Sequence, residues 1–176
     1  MPATVYRGDL AEVTFGHETG IVLTHGAFGG LNFTIADNKG STTLTALAKT
    51  SGQANTRVLT LSDGTRTVNF TIDNSTATST ATVIGFSNAN SNANQFATNI
   101  AAAVNAANTA GTLFITAVAS TATVTLTQDL AGAAGNTTPS GTAISDNVIT
   151  LAAAFLGGVA KADRFTAHRM FENIAN

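Results

Sequence analysis

The stretch Asn92–Asn108, NANQFATNIAAAVNAAN, constrains this chain more than any other, because it is the only long segment with an unbroken helical period. Phe96, Ile100 and Val104 recur every fourth residue with Ala93, Ala97, Ala103 and Ala107 beside them, so one stripe is apolar while Asn94, Asn99 and Asn105 fall off it. Such a stripe has to face a sheet. Asn92 can cap the helix, with Gln95 three positions on, and Gly111 offers a stop. Burying the three large side chains contributes about 1.5–3 kcal/mol each, more than several Asn cost in helix propensity. Packing should therefore hold this helix.

The flanking sequence reads as strand. Arg57–Leu61 and Thr65–Ile72 flank Asp63-Gly64, a pair suited to a two-residue type I′ turn. That turn would set Leu59 opposite Val68 and Arg57 opposite Phe70, with Leu59, Leu61, Val68 and Phe70 on the face laid against the helix. Thr78–Phe86 reads as a third strand, and Leu113–Val118 and Ala122–Thr127 as two more around a short connection. The fold class expected is α+β and β-rich, with antiparallel sheet packed on one central helix. Asp129–Thr142, DLAGAAGNTTPSGT, reads as a loop long enough for a working contact or a mobile tip, and Asp146–Phe155 as strand-like.

Before this region, Ala3–Leu23 alternates in short pieces broken by Gly8, Gly16 and Gly20, HGAFGG reads as a turn, and Leu31–Ile35 and Ser41–Ala48 as strands. Polar Lys49–Thr56 is the best boundary. Residues 1–50 are thus expected to form an arm or sheet layer, 56–159 the main domain, and 160–176 a terminal amphipathic helix. In that helix Ala167, Met170, Phe171 and Ile174 share one side, while Lys161, Arg164, His168 and Glu172 run down another.

Charge narrows the function classes. Among 176 residues there are 8 Lys+Arg and 10 Asp+Glu, a formal net charge of -2, so no basic patch favours nucleic acid. So sparse a surface suits a subunit packed among copies of itself, and equally a Ser/Thr/Asn-coated extracellular β-protein. With no cysteine, disulfide and thiolate chemistry are excluded. MPATVYRGDLAEV lacks the pattern of a signal peptide, and no segment has the apolar length of a membrane span.

Chemistry-bearing patterns are sparse as well. His17 and His25 are spaced for neither a helix face nor a tight loop, so isolated turn histidines explain them better than a metal site. The Arg7-Gly8-Asp9 tripeptide abuts a strand-like run and is read as chance. HGAFGG lacks the phosphate-cradle spacing. There is no Gly-x-Ser-x-Gly elbow or paired-carboxylate pattern, and neither an enzyme nor a cofactor or metal is expected. The sequons at Asn32, Asn69, Asn74 and Asn136 follow from the abundance of Asn and Thr.

Three runs, LSDGTRTVNFTIDNSTATSTATVIGF, ANQFATNIAAAVNAA and ATVTLTQDLAGAAGNT, together resemble modules that recur in bacteriophage virion proteins, especially of marine and cyanobacterial viruses. The opening RGDLAEVTFGHETGI is similar to the start of some tail-tube subunits, whose Gly-x-Glu element matches Gly16-His17-Glu18. A terminal helix after Gly157-Gly158 departs from that pattern and keeps head decoration, or cement, equally open. The resemblance implies a self-assembling structural subunit located in the virion, with copies of itself and a major capsid or tail protein as partners. It implies no role for nucleic-acid sequence or membrane.

Contacts are expected from Val5, Tyr6, Val13 and Phe15 in the first strand, from Leu130, Asn136 and Pro139 in the long loop, and from Ala167, Met170, Phe171 and Ile174. Exposed strand edges would pair with neighbours. The alternative is a receptor- or carbohydrate-binding module of a fibre or adhesin, which the absence of Trp and the single Tyr disfavour.

Overall fold

The structure, a computed structural model, describes residues 38–158 throughout and the backbone of two earlier strands. Those strands, β1 (Ile21–His25) and β2 (Leu31–Ile35), form an antiparallel hairpin in which Ile21 pairs with Ile35 and His25 with Leu31. They belong to one unit of the chain, and Lys39–Ala160 forms the other. The strand expected from Val5 to Phe15 and the helix expected over 160–176 lie outside the described residues.

The second unit begins with β3 (Lys39–Ala46), ten residues ahead of the boundary expected at Lys49. Thr42, Leu44 and Ala46 point inward while Thr43 and Thr45 point out, the period that a half-buried strand requires. This strand is interior to its sheet, and cannot be an arm. It lies between β8 (Thr123–Ala131) and β9 (Ile149–Leu151), with β7 (Ile115–Ser120) beyond β8, in the order β7-β8-β3-β9. All these pairs are antiparallel. The polar stretch read as a boundary instead holds α1 (Ser51–Ala54), a single turn with Ala54 buried.

A three-stranded sheet follows, β4 (Val58–Ser62), β5 (Thr67–Asp73) and β6 (Val83–Gly85). The β4–β5 hairpin forms, but Leu59 pairs with Phe70 and Leu61 with Val68. The register differs by two residues from the one expected, because the loop spans Asp63–Arg66 and only Gly64 of the Asp-Gly pair takes positive φ, at 87°. The Asp63 carboxylate accepts the N–H groups of Thr65 and Arg66, which widens the turn. A shift of two leaves every side chain on its expected face, and Leu59, Leu61, Val68 and Phe70 are all buried.

The third strand is shorter than expected and runs parallel to β5. Residues 74–82 carry the chain back across Gly85, where a Cβ would stand 2.6 Å from the Ala77 carbonyl carbon. Ser79 Oγ accepts Gly85 N–H and donates to Asn99 O, which pins this return.

The central helix, α2 (Ala93–Thr109), has Asn92 as its cap, accepting Gln95 N–H at 3.1 Å. Phe96, Ile100 and Val104 are fully buried, and Phe96 meets Phe86 edge to face with ring centroids 4.9 Å apart. The helix lies chiefly against β7, with further contact to β6, β8 and β3, so the β4–β5 face joins the same core without being its main neighbour. Asn99, placed off the stripe by sequence, is buried. After β8 a 3-10 turn (Ala133–Gly135) and the short helix α3 (Thr142–Ser145) lead to β9. The strand expected over 146–155 regularises only at Ile149–Leu151, since Asn147 sits at φ 55°.

Candidate interaction surface

Side chains of α2 and the loops close the strand edges of this unit. Asn105 lies just past the apolar stripe and meets β7 as a peptide group would: its Oδ1 accepts Ala117 N–H and its Nδ2 donates to Ala117 O, both at 2.9 Å. On the stripe's opposite border, Asn99 Nδ2 donates to Gly85 O at 2.7 Å and to Asn88 Oδ1 at 2.8 Å. One helix thus holds the outer strand of each sheet. The free side of β4 is taken by Ser140, which exchanges two backbone bonds with Thr60, and by Thr142 Oγ1, which accepts Val58 N–H. Ile149 of β9 is fully buried. Edge pairing through these strands, expected from the sequence, is therefore restricted in this unit: the edges of β4 and β6 and the middle of β7 have their backbone groups bonded.

From Ser41 to Thr45 of β3 and along the facing parts of β7 and β8, the outward face of the four-stranded sheet carries no charge, with Lys39 exposed at its end. Register sets Thr116 beside Thr127 and Ser41, Val118 beside Thr125 and Thr43, and Ser120 beside Thr123, Thr45 and Thr150. Thr is a strong strand former that stays polar outside, which suits both a solvated face and an uncharged contact. Val118 is 68% exposed in the middle of it.

Between 38 and 158 the charged residues are Lys39, Lys49, Arg57, Arg66, Asp63, Asp73, Asp129 and Asp146, balanced four against four. Most are engaged. Arg57 Nε lies 2.5 Å from Asp146, Asp129 accepts from Asn108, and Asp73 caps Ser75 through its N–H and hydroxyl. Those bonds, the hydroxyl's first, hold the Asp73 carboxyl below its ordinary value.

The most elaborate polar cluster is built on Asp63. Burial raises its pKa, but the N–H groups of Arg66, Phe114 and Thr65, and then the Arg66 guanidinium, more than offset this and bring it below 3.8. Arg66 also stacks 3.9 Å over the Phe114 ring. Both carboxylate oxygens are committed to backbone, so the cluster fastens structure and offers no free acid or base. Among the described residues no three His, Cys, Asp or Glu side chains gather as a metal site, and no helix is long and apolar enough to cross a membrane.

Of the contacts expected from sequence, Val5, Tyr6, Val13, Phe15, Ala167, Met170, Phe171 and Ile174 lie outside the described residues. Leu130 is 61% exposed. Pro139 is buried in the chain's own unit. The amide of Asn136 pairs with both N–H and C=O of Gly158, so this asparagine clamps backbone just as Asn105 does. The long loop is stitched down too, with Thr137 Oγ1 donating to Ser62 O at 2.5 Å and Phe155 N–H to Thr137 O at 2.9 Å. It bridges the two sheets.

The class this defines is an α+β unit of two sheets sharing one core with a central helix. Compared with known family models, with curated proteins and with solved structures, the chain matches none.

Proposed function

We propose that this chain is a self-assembling structural subunit of a bacteriophage virion, working as a head decoration (cement) protein or as a tail-tube protein. The observation that carries the reading is the surface of residues 38–158: its few charges are balanced and mostly engaged, and the sheet face built by Ser41–Thr45, Thr116–Ser120 and Thr123–Thr127 is hydroxyl and methyl. A solitary protein normally keeps a charged, patch-free surface, whereas a subunit among neighbours does not need one. The resemblance of three runs to phage virion modules supports the same reading. With the β4 and β6 edges bonded and β7 held at its middle, contacts fall to the sheet face, to Leu130 and to the terminal segments. Those segments carry the remaining ten charges of the chain. Partners are copies of itself and a capsid or tail protein, joined through many modest contacts that multivalency makes slow to separate.

Negative-stain microscopy with light scattering, over a range of concentration, tests this. Rings or tubes favour the tail-tube form. Discrete small species that bind only when empty phage heads are added favour decoration. A monomer indifferent to heads, or assembly unchanged after removal of residues 1–37 and 159–176, argues against the proposal.

A further inference from the structure

The β7–β8 hairpin is a dangerous piece of sequence in a safe setting. From Ile115 to Thr127 it reads ITAVASTATVTLT, with no charge, no proline and no glycine, and it pairs without a bulge. High strand propensity, no charge and no proline mark a segment that adds to copies of itself. The usual protections of an edge strand, such as lysine, proline, a bulge or a covering element, are missing from β7 itself. Backbone groups on one strand side alternate, so Ile115, Ala117 and Ala119 face away from β8, and the central one of the three is held by Asn105. Among the described residues, the β4 edge is held by Ser140, Thr142, Thr137 and Gln128 and the β6 edge by Ser79, Thr80 and Asn99, but the β7 edge by this one side chain.

Asn105 has no local reason to be there. It is exposed, it lies in the body of a helix, and Asn is among the weaker helix formers. Its amide presents one acceptor and one donor at the separation of a peptide unit, which is what a neighbouring strand would present.

We infer that Asn105 is an autoinhibitory clamp: it occupies the place on β7 that an edge strand of a second copy would otherwise take. Opening the clamp lets the hairpin extend its sheet from copy to copy. This holds whether or not the chain belongs to a virion, because the clamp and the edge lie within one unit.

The test uses the full-length protein. Asn105→Ala is expected to give concentration-dependent, thioflavin-positive growth with the 4.7–4.8 Å strand spacing under conditions where the wild type gives none. In dilute solution its Ala117 amide should exchange about tenfold faster, the factor that one net hydrogen bond corresponds to. Asn94→Ala, an exposed asparagine of the same helix whose side chain holds no strand, should behave as wild type. Asn105→Asp loses one clamp bond but sets a charge at the edge and should stay unextended. Val118→Lys placed on top of Asn105→Ala should abolish growth. The inference is overturned if Asn105→Ala behaves as wild type, if Asn94→Ala or Asn105→Asp grows as fast, or if the double variant still grows. The dye and the strand spacing separate this growth from ordered rings or tubes of the proposed function.

Discussion

The carboxylate of Asp63 accepts the backbone N–H of Phe114 at 2.9 Å, across 51 residues of chain, and so ties the β4–β5 turn to the residue that enters β7. Its other oxygen holds the turn itself. With a folded-state pKa below 3.8, this group favours the folded state fully at pH values above 3.8, and the contribution is lost as pH falls through the folded value. Asp63→Asn turns a donor towards the Phe114 N–H and should cost about 1.5–3 kcal/mol at neutral pH. Urea unfolding near pH 7 and near pH 3 checks both parts: the gap between variant and wild type should narrow in acid. Equal stability at both pH values would remove the role given to Asp63.

Gly64 and Gly111 both have positive φ, 87° and 70°, but different surroundings. A Cβ at Gly64 runs into the carbonyl of Ala134, which is backbone, while one at Gly111 meets nothing. Gly111→Ala should cost only the left-handed conformation, about 1–2 kcal/mol. Gly64→Ala should add a clash of about 1–3 kcal/mol on top. Equal losses in chemical denaturation would mean that the bridging loop is not packed on the turn.

Thr121 turns the β7–β8 hairpin at φ 52°, a conformation its branched side chain resists. Replacing it by Gly should stabilise the unit by about 0.5–1 kcal/mol, the strain relieved less the greater chain entropy of glycine. Thr121 Oγ1 donates to Ser120 O at 2.6 Å, so a loss of stability on thermal unfolding would show that this bond outweighs the strain.

Asn99→Ala leaves Gly85 O without its amide partner inside the core and should cost about 1–3 kcal/mol. Thr98→Ala, on the exposed side of the same turn, should be neutral or slightly favourable, since Thr98 Oγ1 only bonds back to Asn94 O. Equilibrium denaturation of the pair separates burial of Asn99 from any general effect on the helix.

Much of this architecture was legible in the chain. The helix over 92–108, its Asn92 cap and the inward faces of β4, β5 and β8 follow from periods of 3.6 and 2 in which apolar residues recur. Three features were not. The parallel course of β6 depends on residues 74–82 folding back over Gly85, which no local pattern announces. The hairpin register depends on an Asp63 carboxylate whose third partner lies at Phe114. Asn99 and Asn105 look alike in sequence, yet one is buried and the other clamps an edge.

Sequence by itself determined the class, one helix among alternating strands, because local period dictates which faces must leave water. It also determined how little charge the surface carries. Only the tertiary structure decided which strands neighbour one another, that β3 is interior and not an arm, and that asparagine side chains hold the outer strands β6 and β7. Those outcomes rest on hydrogen bonds between residues far apart in the chain, and a short-range pattern holds no record of partners that only the complete fold brings together.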